Sequence, residues 1–103
     1  MTEEPVKLLL SWDILPEHEQ DYFEFVLGEF VPGIQRLGLQ PSDAWVTVYG
    51  DYPQIQLAVL ASSIEVAHKS INTDEWRTLH DKLFAMVQNY TCKIVPARAG
   101  FQF

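Results

Sequence analysis

Apolar and polar positions alternate along the first predicted element of the chain. Its fully apolar face comprises Val6, Leu8, Leu10 and Trp12. The opposite face, at positions 7, 9, 11 and 13, mixes charged, polar and apolar side chains. A period of two predicts a β-strand. Further strands are predicted over residues 44–49 and 54–61, and the short turn-forming segment at residues 50–53 makes these two strands antiparallel neighbours.

Apolar residues then recur at three- and four-residue steps, which predicts a long amphipathic helix beginning near Pro16. Its predicted core stripe comprises Phe23, Val26, Leu27, Phe30, Ile34 and Leu37. Pro32 lies inside this stripe, so we expect a kink or break near residues 28–31. Gly38 is expected to end the helix. Residues 41–43 are predicted as a turn.

The second half of the chain predicts two helices and a last strand. Ser62 and Glu65 fit a capping box that opens a short helix. A longer helix is predicted from residues 72–75, with Trp76 buried against the sheet. Its apolar stripe comprises Trp76, Leu79, His80, Leu83, Phe84 and Val87. With a final strand over residues 90–95, the order is β-α-β-β-α-β with a split second helix, which predicts an α+β, ferredoxin-like fold with an antiparallel sheet.

Length and charge narrow the class of protein. A chain of 103 residues predicts a single domain over residues 1–103. The net charge of −7, with seven basic residues scattered along the chain, argues against nucleic acid and anionic membranes as partners. Cys92 is the only cysteine, so no intrachain disulfide can form. The acidic N-terminus and the lack of a long apolar run favour the cytoplasm.

Both faces of the predicted sheet carry apolar residues. The face that would lie away from the helices still offers Leu9, Trp45, Tyr49, Ala58 and Leu60. In a ferredoxin-like monomer that face meets water unless something covers it. A second copy of the same sheet is the simplest cover, so we expect a homodimer. The alternative is a monomer with a few surface aromatic residues.

Several short motifs carry a resemblance to a known superfamily. They comprise a short helix at residues 62–70, Thr73-Asp74-Glu75-Trp76, Lys93-Ile94-Val95-Pro96 and Phe101-Gln102-Phe103, with Phe30-Val31-Pro32 and Leu37-Gly38-Leu39 in the first half. With these motifs the chain resembles the dimeric α/β-barrel superfamily, and most of all its NIPSNAP and antibiotic-biosynthesis-monooxygenase-like branches. The resemblance implies a homodimer whose two sheets face each other as a barrel, and a cleft between sheet and helices in each protomer.

The superfamily spans many activities, so the fold does not fix the function. It includes cofactor-free oxygenases, haem-degrading enzymes, chlorite dismutases, isomerases and proteins without assigned activity. The haem-degrading members combine a strand-one asparagine with a tryptophan and a histidine on helix two. This chain has Trp76 and His80, but Ser11 and Asp13 occupy strand one. This departure from the pattern disfavours haem chemistry. We expect no cofactor.

Candidate chemistry centres on two histidines and a set of aromatic and polar residues. His80 and His68 are candidate catalytic residues, because both fall on apolar stripes and histidine titrates near neutrality. The alternative is that each is a hydrogen-bonded histidine at the edge of the core. The candidate ligand-binding residues are Trp45, Tyr49, Asn72, Trp76, His80 and Arg98. No histidine has metal-ligand spacing with another strong ligand, so no metal site is expected.

Three functions remain open. The first is a protein that binds a small apolar or aromatic molecule in the cleft. The second is a cofactor-independent oxygenase or isomerase, and the third is a purely structural or scaffolding dimer. An open cleft of a few hundred cubic ångströms lined by Trp76 and His80 would favour the first two, and a sealed interior would favour the third.

Overall fold

The computed structural model describes residues 4–47 and 53–97. The strands are β1 (Val6–Ile14), β2 (Gln40–Val46), β3 (Ile55–Ala61) and β4 (Val87–Pro96). The helices are α1 (Glu19–Phe25), α2 (Val31–Arg36), α3 (Ile64–Ile71) and α4 (Asp74–Phe84). A 3-10 turn at Pro16–His18 precedes α1, and a π-helical segment at Val26–Phe30 joins α1 to α2. No helix in these two ranges has the length and apolar character needed to cross a membrane.

The four strands form one antiparallel sheet in the order β2-β3-β1-β4. The first and third strands along the chain are therefore central, and the second and fourth are the edges. In each half of the chain the helices connect two strands that are separated by one other strand in the sheet, which is the split βαβ arrangement. The predicted α+β, ferredoxin-like fold is confirmed.

The alternation along β1 places its two faces as the sequence predicts. Leu8, Leu10 and Trp12 are fully buried in the core between sheet and helices. The outer face, on the side of the sheet opposite this core, carries Leu9 and Ala58, and both are also fully buried. Leu9 and Ala58 are thus inaccessible to water within one chain and do not need the second copy that was expected to cover them, whereas β2 is exposed along most of its length.

The π-helical segment lies where Pro32 enters the helix. The backbone N–H of Val31 donates to the carbonyl oxygen of Val26, five residues earlier. Proline cannot donate a backbone hydrogen bond, and its ring crowds the carbonyl of the preceding turn, so a wider turn at this point relieves both problems. The structure thus realises the break expected near residues 28–31 as one π-helical turn.

Because of this wider turn, the core stripe of the first helix differs from the predicted one. Phe25 and Phe30, five residues apart, both face the core, and Tyr22 is buried with them. Phe23 and Leu27, which an uninterrupted α-helical period assigns to the core, are instead exposed. An extra residue in one turn shifts the helical phase, so the residues on either side of that turn cannot be placed by a single period of 3.6.

Three boundaries also differ from the sequence-based expectations. The residues predicted as a turn at 41–43 belong to β2, because an edge strand tolerates Pro41 and an irregular register between Pro41 and Asp43 accommodates it. The cap of α3 is Ser63, whose hydroxyl accepts from the Val66 N–H at 3.2 Å, and not Ser62. Val87 begins β4 and does not extend α4. Residues 48–52 lie outside the described residues.

Candidate functional site

His80 is held between helix α4 and strand β4. Thr73 caps α4 by accepting from the Trp76 N–H at 3.1 Å, which fixes where the helix begins and which residues face the sheet. The His80 side chain is only 4% exposed. Its Nδ1 lies 2.9 Å from the carbonyl oxygen of Trp76, and its Nε2 lies 2.8 Å from the hydroxyl oxygen of Tyr90. Both ring nitrogens are therefore used inside the protein.

These two partners fix the histidine tautomer. A backbone carbonyl can only accept, so the Nδ1 of His80 carries a proton and donates to Trp76. In a neutral imidazole the Nε2 is then an acceptor, and the Tyr90 hydroxyl must donate to it. The result is a directed chain in which Tyr90 donates to His80 and His80 donates to Trp76.

Aromatic rings surround this histidine on several sides. The Trp76 ring stacks on His80 with a centroid separation of 4.1 Å and an interplanar angle of 27°. Phe30, Phe84 and Tyr90 meet it edge to face at 5.3, 5.7 and 5.4 Å. We refer to Phe30, Trp76, Phe84 and Tyr90 as the aromatic cluster. Phe30 comes from the π-helical turn, so the break at Pro32 helps to enclose His80.

A bulge in the sheet brings Tyr90 to this side. The register between β1 and β4 shifts between Ser11 and Asp13, and Asn89 adopts a left-handed backbone conformation with φ of 59°. Asp13 secures the shift, since one carboxylate oxygen accepts from the Asn89 side-chain amide at 2.9 Å. Tyr90 then stacks on Trp12, with ring centroids 6.0 Å apart and planes only 10° from parallel.

Burial controls the protonation of the cluster. Loss of water lowers the pKa of His80 below its usual value of 6.5, although the carbonyl of Trp76 and the charge of Asp81 act in the opposite direction. Burial also raises the pKa of Tyr90 far above its ordinary range, with a further rise from the neighbouring Cys92. Both effects favour the neutral forms of the two side chains at neutral pH.

A cleft of about 460 Å³ opens beside the aromatic cluster, between α4 and the edge strand β4. It is lined by Ile71, Asn72, Trp76, Arg77, His80, Asp81, Phe84, Tyr90 and Cys92. Phe84 and Cys92 are exposed, so the cleft opens to solvent. The protein around Cys92 still removes enough water from its thiol to raise the thiol pKa, because the charged thiolate is poorly solvated there.

The structure brings together only part of the predicted ligand-binding set. Asn72, Trp76 and His80 line the cleft, although Trp76 is half-buried and not fully buried as expected. Trp45 lies on β2, at the opposite edge of the sheet from β4. Tyr49 and Arg98 lie outside the described residues. Whether any of these side chains contacts a ligand remains a prediction.

His68 lies apart from the cleft. Its side chain is exposed on α3, because the stripe of that helix is narrower than the periodicity indicates and buries Ala67 and Ser70 instead. The carbonyl oxygen of His68 accepts from the Asn72 side chain at 2.8 Å, which is a helix-end contact. The placement makes His68 a surface residue and leaves His80 as the histidine at the cleft.

Sequence reasoning missed the contribution of β4. Tyr90 and Cys92 share one face of the strand with Ile94, and all three lie on the helix side. The predicted last strand at residues 90–95 contained this signal, because its period of two places Tyr90 and Cys92 on a common face. Across residues 4–47 and 53–97, no group of three or more histidine, cysteine, aspartate or glutamate side chains is arranged to hold a metal ion.

Comparison with solved structures identifies the fold. A NIPSNAP family protein from Agrobacterium tumefaciens superposes with a TM-score of 0.66 and 18% identity, covering 88% of this chain and 90% of that one. A protein from Nitrosomonas europaea, provisionally described as an antibiotic biosynthesis monooxygenase, superposes with a TM-score of 0.70 and 12% identity over 99% and 98% of the two chains. The sequence matches no protein-family model, and no curated protein is significantly similar to it.

These identities establish a shared fold. An EthD family protein from Bacillus halodurans also superposes on this chain, with a TM-score of 0.69 and 17% identity over 96% of this chain and 99% of that one. The chain therefore has the ferredoxin-like fold found in NIPSNAP and antibiotic-biosynthesis-monooxygenase-like proteins, as its motifs suggested. Function has to be argued from its own cleft.

Proposed function

We propose that this protein binds a small neutral molecule with an apolar or aromatic body in the cleft between α4 and β4. The observation that carries the proposal is the cleft itself, with about 460 Å³ of space bordered by the rings of Trp76, Phe84 and Tyr90. That volume falls within the range of small-molecule sites, which are mostly apolar with a few placed polar groups. An open cleft also argues against a purely scaffolding role.

The charges around the cleft favour a neutral ligand. Arg77 and Asp81 both line it and carry opposite charges. Arg77 is also paired with Asp74, its guanidinium lying 3.3 Å from the carboxylate. The chain as a whole carries a net charge of −7, which disfavours the approach of an anion. A charged ligand would gain little favourable electrostatic interaction in this cleft, and it would lose part of its hydration on binding.

A cofactor-independent oxygenase or isomerase is the second candidate. The His80–Tyr90 hydrogen bond favours it, because a proton taken up by the Tyr90 hydroxyl could pass to the Nε2 of His80. One neighbour in fold, from Nitrosomonas europaea, carries a provisional monooxygenase description. Desolvation makes His80 a weak base, however, because the imidazolium would be buried among aromatic rings. Binding without catalysis is therefore the leading proposal.

A pair of phenylalanines tests the binding proposal. Phe84 lines the cleft and Phe23 lies on α1, yet both side chains are 49% exposed. With indole as the probe, we expect saturable protection of Cys92 from alkylation by iodoacetamide. Phe84→Ala should raise the indole Kd about 3- to 10-fold, since an aromatic contact contributes about 0.5–1.5 kcal/mol. Phe23→Ala should change it less than about twofold.

Cys92 is the only cysteine in the chain, so the extent of thiol alkylation reports on this side chain alone. Binding can be checked independently from the backbone amide shifts of Trp76, Tyr90 and Cys92. Loss of affinity in both phenylalanine variants would mean that indole binds nonspecifically to exposed rings. No saturable binding of indole or of benzofuran, its oxygen analogue, up to their solubility limits would overturn the proposed function.

We also propose that the protein is a homodimer that uses the edge strand β2. The proposal is supported by two apolar side chains near the end of this strand, Trp45 and Val46, with Val46 66% exposed. Edge strands with exposed apolar residues favour pairing with another chain. The fold shared with NIPSNAP-like proteins is compatible with such pairing.

Light scattering at micromolar concentration should therefore give about twice the chain mass of 11.8 kDa. Val46→Asp should shift the protein to the monomer, because it places a charge in the apolar contact. Leu27→Asp is the matched control, since Leu27 is 72% exposed on the helical layer, and it should leave the mass unchanged. A monomeric wild-type protein at this concentration contradicts the proposal.

A further inference from the structure

The hydroxyl of Tyr90 has a fixed direction. Its proton is donated to the Nε2 of His80, because the Nδ1 of that ring is held protonated by the Trp76 carbonyl. The hydroxyl oxygen retains acceptor capacity after this donation. Tyr90 lines the cleft, so a ligand group that reaches this oxygen meets lone pairs and no proton.

Packing prevents Tyr90 from escaping this arrangement by turning away. Its ring stacks on Trp12 and meets Phe84 edge to face, with ring centroids 5.0 Å apart. His80 is equally constrained by the stacked Trp76 ring. Reversing the hydroxyl would leave the Nε2 of His80 without a donor in a buried site, and an unsatisfied buried acceptor is unfavourable.

We propose that the Tyr90 hydroxyl, oriented by His80, is a selectivity element that favours neutral ligands bearing an N–H or O–H donor. The inference rests on the proposed binding function and specifies the ligand class. A ligand donor can pair with the Tyr90 oxygen. A ligand that presents only an ether or carbonyl oxygen at the same point brings lone pair against lone pair, so neither oxygen gains a donor there.

The neighbouring Cys92 does not remove this selectivity. Its thiol and the Tyr90 hydroxyl are hydrogen-bond neighbours, and both residues line the cleft. A thiol is a weak hydrogen-bond donor, so a ligand N–H or O–H can replace it at the Tyr90 oxygen. An ether oxygen of a ligand has no hydrogen to donate, so it cannot replace the thiol at the Tyr90 oxygen.

Indole and benzofuran provide a matched pair of probes. They have nearly the same shape, but indole carries one N–H donor where benzofuran carries an ether oxygen. If apolar burial alone decided binding, benzofuran, the less polar of the two, would bind more tightly. With the Tyr90 oxygen as acceptor, indole should bind about 3- to 10-fold more tightly to the wild-type protein, in line with a net hydrogen bond of about 1 kcal/mol.

Tyr90→Phe should remove the preference, leaving the two Kd values within about twofold of each other. Equal affinities in the wild-type protein, or a preference for benzofuran, would overturn the inference while leaving the binding function intact. An indole preference that persists in Tyr90→Phe would assign the selectivity to another group and overturn the role of Tyr90. If this variant does not fold, the wild-type comparison still tests the preference itself. The side-chain NMR signals of Tyr90 then test its role, because a hydrogen bond from indole should move them and benzofuran should not. Absence of binding by both probes would overturn the binding function, and the inference with it.

Discussion

Trp12→Ala is expected to lower the free energy of unfolding by about 3–5 kcal/mol. Trp12 is 1% exposed, and its indole N–H donates to the Tyr22 hydroxyl at 2.8 Å. Its ring also contacts Phe30 edge to face and stacks on Tyr90. The substitution therefore opens a large cavity and leaves the buried Tyr22 hydroxyl without its donor. Small domains are stable by only about 5–15 kcal/mol, so much of the stability would be lost.

Phe23→Ala provides the comparison within the same chain. Phe23 is 49% exposed on α1 and lies outside the proposed dimer contact, so its truncation should cost about 1 kcal/mol or less. Urea unfolding followed by far-ultraviolet circular dichroism measures both variants, since it does not depend on the tryptophans. Comparable losses in the two variants would show that Trp12 is not the centre of the core. The indole protection assay should also fail in Trp12→Ala, because Trp12 supports the Tyr90 ring.

Local alternation made the sheet predictable from the sequence. A strand that is buried on one face reveals itself within a few residues, as the apolar positions of β1 do. The same holds for β3 and for the order of elements, which follows from short connections. The first helix was misplaced in phase because a π-helical turn has no periodic signature of its own. Pro32 indicates where the regular helix is interrupted. It does not indicate that the turn at this point contains an extra residue, or that Tyr22 and Phe25 lie in the core.

Only part of the candidate site could be predicted from the sequence, because its residues come from separate parts of the chain. Trp76 and His80 are one turn apart on one helix, so their proximity is local. Their partner Tyr90 reaches them through the pairing of β4 with β1 and through the bulge opposite Trp12. Those contacts join residues far apart in the chain, and a single sequence does not specify the register of such a pairing. The selectivity proposed for Tyr90 thus emerges only in three dimensions.

His80 joins the stability of the fold to the chemistry of the cleft. Histidines at binding sites are often supposed to be free for a ligand, but both nitrogens of this ring already have protein partners. Its contribution to a ligand is therefore indirect, since it sets the direction of the Tyr90 hydroxyl. A residue of this kind is needed both for packing and for selectivity, so its removal should affect both.

His80→Ala is accordingly expected to lower the free energy of unfolding by about 2–4 kcal/mol, through a cavity inside the aromatic cluster and the loss of two hydrogen bonds. His68→Ala is the matched control. His68 is exposed on α3, so its removal should change stability by less than about 0.5 kcal/mol. Urea unfolding at pH 7.5 measures both. Equal, small effects would place His80 outside the core and contradict the hydrogen-bond chain.

The free energy of unfolding of the same variants should also depend on pH in a way that a change in packing alone would not produce. Because burial lowers the pKa of His80 in the folded state, the unfolded chain binds the proton more readily once the pH falls below about 6.5. The wild-type protein should thus lose stability as the pH falls from about 6.5 toward the lower folded-state pKa, and His68→Ala should follow it. His80→Ala lacks this group, so the difference in stability between wild type and His80→Ala should shrink over that range. A difference that stays constant with pH would mean that His80 titrates alike in the folded and unfolded chain, which its burial among aromatic rings argues against.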